Sequence, residues 1–475
     1  MTYRIPTALL AVALMVSACT KDAAPTAEPS DSDFKIEYEK YTLDNGLDVI
    51  LHVDRSDPVV AVASIFHVGS NREVAGRTGF AHFFEHMSFN DSENVPRGAN
   101  RKYIGELGGS RNGGTSFDFT QYYEIVPRDA LEKIFWIDSD RMGYMINTVT
   151  EEALEREKQV VKNEKRQNYD NRPYGHNISV ILENLFPEGH PYSWPVIGSL
   201  EDLQNATLDD VKAFYERWYG MNNATLAVAG DFDPDEVKPM IEQWFGEIRR
   251  GPETEPMQPM PVVLEESRNL WHPDSFAQLP QLTRVYPSVE LYHPDSFALQ
   301  VLGQVLAGSK SAPLHEVIVE ERELAPAVSV SDNPFEVAGL LFVSVRALQG
   351  VALDDVVAGL DEGMARFAEE GVSDNELMRI KTELEADFYQ DLSGVLNKAR
   401  SLATYNEFAG DPGFATENLR RLQAVTRDDV MRVFKKYVQG QHFVQTSFVP
   451  QATPELAVTG AEQAKVTEEK IVQGA

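Results

Sequence analysis

Two histidines and a glutamate at helical spacing form the part of the sequence with the clearest capacity for chemistry. His82 and His86 are four residues apart, and Glu85 directly precedes the second histidine. On a helix, side chains at i and i+4 leave the same face with Cβ atoms about 5–6 Å apart. This spacing allows two imidazole nitrogens to bind one zinc ion at about 2.0–2.1 Å. Glu85 is then close enough to act as a general base on a zinc-activated water. The order HxxEH is the inverse of the commoner zinc motif HExxH.

A pair of packed core histidines is the alternative interpretation of the same segment. The stretch from Glu73 to Phe89 is predicted to be one amphipathic helix. Its apolar stripe consists of Phe80, Phe83, Phe84 and Met87. One histidine on such a helix is most often a satisfied core residue. Two histidines at i and i+4 with an acid beside the second favour a metal site instead.

A charged segment further along the chain contains two acids at a regular spacing. Residues 154–174 are predicted to form a long helix that carries Glu157 and Glu164. With HxxEH followed by ExxxxxxE, the sequence resembles the pitrilysin/insulinase family of zinc peptidases. That family includes the catalytic subunit of the mitochondrial processing peptidase. The resemblance covers nearly the whole chain after the first residues.

The resemblance implies a role for each of these side chains. His82, His86 and Glu164 are expected to bind one Zn²⁺ per chain. Glu85 is expected to be the catalytic general base. Glu157 corresponds to the family's supporting acid and is the second expected catalytic residue. The same resemblance implies peptide substrates.

A glycine-rich run at residues 108–118 would otherwise be interpreted as a loop. In the family this run forms an exposed edge strand beside the zinc, and an extended peptide adds to it as a further strand. The resemblance therefore implies that Asn112 and Thr115 contact the substrate.

An internal repeat indicates that the chain arose by duplication. Residues 203–211, LQNATLDDV, recur as residues 422–430, LQAVTRDDV, at an offset of 422 − 203 = 219. In both copies a threonine before two acids predicts a helix N-cap. The repeat and the resemblance together predict an α+β fold. We expect two homologous tandem α/β-sandwich domains, each a sheet covered by helices, in a clam-shell assembly.

The repeat and the local composition predict where these domains begin and end. We expect a catalytic domain at 36–250 and an inactive peptidase-like domain at 270–450. The proline-rich segment within 251–269 is typical of a linker. Residues 451–475 are predicted to be a polar tail.

The second half departs from the family pattern at two places. The offset puts Val301 and Val305 at the positions of His82 and His86, and Gln304 at the position of Glu85. This half therefore cannot form the zinc site. Family members also carry an arginine and a tyrosine that hold the substrate and stabilise the oxyanion. Val319 and Pro326 occupy those positions here. We therefore expect a related partner chain to supply the arginine and the tyrosine in a heterodimer. A homodimer is another possibility, and a third is that this chain does not need the two residues.

The first residues predict export and attachment to a membrane by a lipid. The apolar run at 7–16 is too short to span a bilayer and is typical of a secretory signal. It ends in a sequence that resembles the bacterial lipobox, with Cys19 as the lipidated residue. We expect a lipoprotein signal peptide at 1–18, a flexible tether at 19–35 and a location in the bacterial periplasm, the outer membrane favoured over the inner. An ordinary cleaved signal with a chance cysteine is the alternative.

The charge balance excludes one class of partner. The chain has 43 Lys+Arg against 74 Asp+Glu and a formal net charge of −31, which repels the phosphate backbone of nucleic acids. We predict a zinc-dependent endopeptidase that hydrolyses peptides or small unfolded proteins outside the cytoplasm. A protease that trims defined precursors is a narrower version of this function. The alternative from another class is a non-catalytic structural or scaffolding subunit of a peptidase-like complex.

Overall fold

Two six-stranded sheets, one from each half of the chain, form the frame of the protein in a computed structural model that describes residues 34–466. The predicted signal peptide, Cys19 and most of the tether lie outside the described residues, as do residues 467–475 of the tail. From Lys35 onward the described residues form one compact unit. None of the helices in this part of the chain is long and apolar enough to cross a bilayer.

The first sheet has the strand order β1-β2-β6-β3-β5-β4. Its strands are β1 (Glu39–Thr42), β2 (Asp48–Val53), β3 (Val59–Phe66), β4 (Ser110–Thr115), β5 (Thr120–Pro127) and β6 (Ala224–Gly230). Only β2 and β6 pair in parallel among these strands. A hairpin turn at Asn45-Gly46 joins β1 to β2, and Gly46 has a φ of +93° that suits glycine. Strand β4 lies at the edge of the sheet, so one side of its backbone is free of strand partners.

Helices from the first half other than α5 (Asn177–Leu185) pack on one face of this sheet and form a single apolar core with it. The helices of this half are α1 (Phe80–Ser88), α2 (Ala99–Glu106), α3 (Leu131–Tyr144), α4 (Glu151–Lys165), α5 (Asn177–Leu185), α6 (Leu200–Asn205), α7 (Leu208–Trp218) and α8 (Pro234–Phe245). The proline-rich segment after α8 forms no helix or strand before the second sheet begins at Arg268.

The second sheet has the order β12-β7-β11-β8-β10-β9 and repeats five of the six strand positions of the first. At the sixth position β12 pairs with β7 in parallel, whereas β1 pairs with β2 antiparallel. Its strands are β7 (Arg268–Asp274), β8 (Gln281–Ser288), β9 (Val328–Pro334), β10 (Gly339–Arg346), β11 (Val444–Pro450) and β12 (Glu462–Gln463). The helices of this half are α9 (Pro294–Ala307), α10 (Pro313–His315), α11 (Leu353–Glu370), α12 (Asp374–Asp391), α13 (Val395–Ala409), α14 (Ala415–Ala424) and α15 (Arg427–Tyr437). The predicted fold class, two related sheets each covered by helices, is confirmed.

Each half also lends one helix to the sheet of the other half. Helix α13 packs on β3 and β6, and helix α5 packs on β11. The Nδ2 of Asn406 on α13 donates to Thr225 Oγ1 on β6 at 2.7 Å. In the other direction, Thr446 Oγ1 on β11 donates to Asn177 Oδ1 on α5 at 2.6 Å. The 219-residue offset moves α5 onto 396–404, within α13, so equivalent helices are exchanged between the halves.

Two predicted helices are shorter in the structure than the sequence pattern indicated. The helix predicted from Glu73 begins only at Phe80, because Gly76 and Gly79 have φ values of +81° and +86°, which a right-handed helix does not contain. The helix predicted to extend to Tyr174 ends at Lys165 and continues as one π-helical turn at 166–170.

Candidate active site

The helix that carries the HxxEH motif is fixed in the core by its apolar side. The predicted apolar stripe is buried. Phe84, for example, is fully buried and its ring stacks on that of Phe214 from α7. Burial of one such aromatic side chain stabilises the fold by about 1.5–3 kcal/mol. Because this side of α1 is fixed, the two histidines are held toward α4 on the remaining side.

The start of α1 is capped by a residue that the sequence analysis did not identify. Gly79 stands at the N-cap and has no side chain to accept from the first turn. Glu73 does so from upstream: its two carboxylate oxygens accept from the backbone N–H of Gly79 and of Ala81, each at 2.8 Å. Burial raises the pKa of Glu73 to about 8, although these N–H donors act in the opposite direction. A glycine at a helix start with an acid a few residues upstream is the signal that could have revealed this cap.

Helix α4 brings the third predicted ligand to the two histidines. Glu164 Oε2 lies 2.9 Å from His86 Nε2 and 3.7 Å from His82 Nε2. The ligand atoms of these three residues all lie within 4.8 Å of one another. In a tetrahedral site with bonds of about 2.0–2.1 Å, neighbouring ligand atoms are about 3.3 Å apart. The two measured distances lie on either side of that value, so the residues fit a zinc ion.

The electrostatics of the cluster also suit a cation. Burial and the facing His86 lower the pKa of His82 to about 4, so His82 is a neutral imidazole able to bind a metal. Burial also acts to lower the pKa of His86, but Glu157 and Glu164 outweigh it and raise the pKa to about 9. The carboxylates of Glu157 and Glu164 therefore stabilise a positive charge between α1 and α4. A bound zinc ion would provide that charge.

Glu157, the predicted supporting acid, lies beside the second histidine. Its Oε1 lies 3.4 Å from His86 Nδ1, the ring nitrogen that faces away from Glu164. The side chain is 4% exposed and also accepts from Asn90 Nδ2 at 2.8 Å. A hydrogen bond to the second nitrogen of a ligand histidine fixes its ring and tautomer. Asn90 was missed by the sequence analysis, because only the fold brings the end of α1 against this part of α4.

The predicted general base is linked directly to the edge strand. Thr115 Oγ1 on β4 donates to Glu85 Oε2 at 2.8 Å. Burial raises the pKa of Glu85, although this hydrogen bond acts in the opposite direction. A carboxylate whose pKa moves toward neutrality is suited to exchange a proton in a reaction at pH 7.

The two residues predicted to contact substrate lie on opposite sides of β4. Thr115 faces α1, where its hydroxyl holds the base. Asn112 points to the other side and is exposed; its Oδ1 accepts from the backbone N–H of Gly113 at 3.0 Å. The structure thus places the glycine-rich run as an edge strand beside the metal cluster, and gives Thr115 a contact with the base.

The equivalent position in the second half contains no such cluster among the described residues. Val301 and Val305 are buried in the apolar helix α9. Glu383, the counterpart of Glu164 by the repeat offset, lies on α12 and pairs with Arg379 at 2.7 Å. The structure therefore provides one candidate site, in the first half.

Comparison with known proteins agrees that the two halves of the chain differ. The insulinase (peptidase family M16) model matches residues 48–189, and the M16 inactive-domain model matches residues 205–384. The zinc protease PqqE of Helicobacter pylori is 28% identical over 418 residues, which cover 84% of this chain and 90% of that protein. An uncharacterised zinc protease of Bacillus subtilis, YmxG, is 23% identical over 82% of this chain and 93% of its own length.

Solved structures agree as well. A crystal structure of a protease from Helicobacter pylori matches with a TM-score of 0.81 and 25% identity, and the match covers 88% of this chain and 100% of that one. A second structure, of a peptidase M16 inactive domain from Pseudomonas fluorescens, shares the fold with a TM-score of 0.77. Zinc is the cofactor that the related zinc proteases imply for the three-residue cluster. The chain belongs to the insulinase family of peptidases, peptidase family M16.

Proposed function

We propose that the chain is a zinc-dependent endopeptidase that hydrolyses peptides or small unfolded proteins. One observation carries this proposal: Glu85, beside the three-residue metal cluster, is hydrogen-bonded to the edge strand on which an extended peptide can lie. The arrangement puts a general base, a metal site and a peptide-binding edge in one place. A purely structural subunit has no need for this combination.

The chain's own residues can orient the substrate and move the proton. The free backbone groups of β4 hydrogen-bond an extended peptide and fix the position of its scissile bond. His82, His86 and Glu164 would hold a zinc ion, which would supply Lewis-acid polarisation of the scissile carbonyl and activation of water. Glu85 takes a proton from the attacking water as the new C–O bond forms. It then delivers that proton to the leaving amine nitrogen as the C–N bond breaks.

The active species in this proposal includes a second, related chain. Val319 and Pro326 offer no side-chain donor to a developing oxyanion, and preorganised donors of this kind contribute about 2.7–4 kcal/mol each in hydrolases. A heterodimer with a chain that carries an arginine and a tyrosine at these positions completes the site. A homodimer of this chain provides two zinc sites without these donors.

The proposed place of action is the bacterial periplasm, with Cys19 lipidated and the outer membrane as the favoured anchor. The support is the apolar run before Cys19 in the sequence. Labelling with a fatty-acid analogue tests this proposal in the wild type and in Cys19→Ser. We expect the wild type to carry the label and to fractionate with the membrane, and Cys19→Ser to lose both the label and the membrane association.

Hydrolysis of a quenched fluorescent peptide tests the activity. We expect Glu85→Gln to lower kcat by a factor of about 10²–10⁴ while one zinc per chain stays bound, and o-phenanthroline to abolish the activity of the wild type. Glu383→Gln, at the repeat position of Glu164, is the matched control and should leave the rate unchanged.

Two results other than the expected one would have different meanings for the proposal. A wild-type chain that binds zinc but cleaves nothing by itself, and gains activity with a related chain, supports the heterodimer. Equal rates for the wild type and Glu85→Gln would show that Glu85 is not the base and would overturn the proposal.

A further inference from the structure

A basic segment leads into the peptide-binding edge strand of this acidic protein. Between residues 97 and 115 the sequence has four basic side chains and a single acid, Glu106, whereas acids outnumber bases across the whole chain. The basic side chains are those of Arg97, Arg101, Lys102 and Arg111. Arg111 is the one that lies on β4 itself.

Arg111 faces the same side of β4 as the residue that holds the general base. Side chains alternate along a strand, so Arg111 and Gly113 share the α1-facing side with Thr115. At Gly113 a Cβ atom would lie 2.7 Å from Phe89 Cζ, and the glycine thus lets the Phe89 ring lie directly under the strand. The Arg111 guanidinium carbon lies over this ring, 4.2 Å from its centre.

The Arg111 guanidinium has no carboxylate partner within residues 34–466. No hydrogen bond or ion pair holds it there, and its buried Nε has no hydrogen-bond acceptor. Burial lowers the pKa of Arg111, but an arginine stays charged at neutral pH. A half-buried cation held in place by stacking alone is suited to a negatively charged group from outside the chain.

The acid directly across the strand pair forms no hydrogen bond or ion pair with Arg111. Glu124 on β5 is the register partner of Arg111, and both of its buried carboxyl oxygens are without a hydrogen-bond partner. Burial, followed by the nearby Asp138, raises the pKa of Glu124 well above its usual value. Asp138 itself pairs with Arg141 at 3.0 Å.

The position of Arg111 relative to the base defines which part of a peptide it meets. Arg111 lies four residues from Thr115, which is about 13 Å along a strand. A peptide paired to the free edge of β4 presents a side chain opposite Arg111 on the same face, with Cβ atoms about 4.5–5.5 Å apart. That peptide residue is about four positions from the scissile bond.

We propose that Arg111 is a specificity-determining residue that binds an aspartate or glutamate side chain of the peptide, about four positions from the bond that is cut. This inference rests on the proposed function, because it assumes that substrate pairs with β4. The chain would thereby favour peptides with an acid at that distance over peptides with a lysine, despite its own negative charge.

Binding to a disabled, zinc-loaded chain tests the inference without reference to turnover. The probe is a set of fluorescent peptides, each with Glu, Gln or Lys at one position two to five residues from the centre, titrated against the Glu85→Gln chain. We expect about tenfold tighter binding for Glu than for Lys at one or two adjacent positions, from a charge-assisted hydrogen bond. Adding Arg111→Met should remove the preference while the Gln peptide still binds. Arg111→Glu should reverse it.

Lys102→Met is the matched control, since Lys102 belongs to the same basic segment but is exposed and pairs with Glu106 at 3.8 Å. It should keep the preference. Equal affinity of Glu and Lys peptides, or an equal loss of preference in Lys102→Met, would overturn the role of Arg111.

The proposed function fails separately from this inference. If the wild type, with or without a partner chain, hydrolyses nothing while the Glu preference depends on Arg111, the peptidase proposal is wrong and the Arg111 site stands. Absence of binding by every peptide would overturn both.

Discussion

A single hydroxyl group connects Glu85, the proposed general base, to the edge strand β4. Because Thr115 donates to Glu85 at 2.8 Å, we expect Thr115→Val to lower kcat about tenfold with little change in KM. A hydrogen bond to a charged group is worth about 1.5–3 kcal/mol, and its loss lets the carboxylate turn away. Thr115→Ser keeps the hydroxyl and should retain most of the rate. Peptide kinetics that show equal kcat for the two variants would contradict this role.

Glu157 contacts the predicted zinc ligand His86, so we expect its loss to affect zinc affinity more than folding. We expect Glu157→Gln to weaken zinc binding about 10- to 100-fold, because His86 loses the carboxylate at 3.4 Å that orients its ring. Competition with a fluorescent chelator measures this change. Glu152→Gln, an exposed position on the same helix, is the control, and an equal affinity in both variants would count against the role of Glu157.

How far these residues could be predicted depends on how local their signals are. His82, Glu85 and His86 share one helix face, so spacing alone indicates the chemistry. Glu164 needed the family resemblance, since a lone acid in a charged helix carries no signal. Glu73 caps α1 through a loop with left-handed glycines, which no periodicity describes.

At the scale of elements, one turn in the second half contains a residue in a conformation that glycine adopts more easily. Glu323 has a φ of +50° and lies two residues after the end of the π-helical turn at 316–321. We expect Glu323→Gly to raise the free energy of unfolding by about 0.5–1 kcal/mol, since the left-handed backbone costs about 1–2 kcal/mol and glycine loses part of this through entropy.

Urea unfolding measures the effect of this substitution. Lys212→Gly, at an exposed position in the middle of α7, has ordinary helical backbone and should destabilise the protein by about 1 kcal/mol. If Glu323→Gly destabilised the chain as much as this control, the left-handed conformation would not be a source of strain.

Two central strands leave a clear signal in the sequence. The strands at Val59–Phe66 and Ala224–Gly230 consist mostly of apolar residues, with Ser64 and Thr225 among them, which is typical of a buried strand. The exchange of α5 and α13 could not be predicted in this way. An amphipathic helix shows which of its sides is buried, but it does not show which of two similar sheets covers that side.

At the scale of the whole molecule, the exchanged helices make the two halves interdependent. We expect a chain cut at a protease site inserted after Glu255, in the segment without helix or strand, to remain one particle on gel filtration. Separation would expose the sheet faces that α5 and α13 cover, and buried apolar area contributes about 25 cal/mol per Å². Two fragments that elute apart in native buffer would show that the exchange contributes little.

A histidine where the two halves meet should make the stability of the whole molecule depend on pH. His67 follows β3, and its Nε2 lies 3.0 Å from Glu336 and its Nδ1 3.6 Å from Glu407, both from the second half. Burial acts to lower the pKa of His67, and Arg72 does so too. The two carboxylates outweigh both and raise the pKa above its usual value of 6.5.

Because the pKa of His67 is higher in the folded chain than in the unfolded one, folding takes up a proton there. The stabilisation is fully present below pH 6.5 and is lost as the pH rises through the raised pKa. We expect urea unfolding from pH 6 to pH 9 to show this loss in the wild type, and a flatter profile in His67→Gln. His190→Gln is a control of opposite sign: burial lowers the pKa of His190, so its own contribution grows as the pH rises. If His67→Gln kept the wild-type slope, the ion pairs of His67 would not be what couples the two halves to pH.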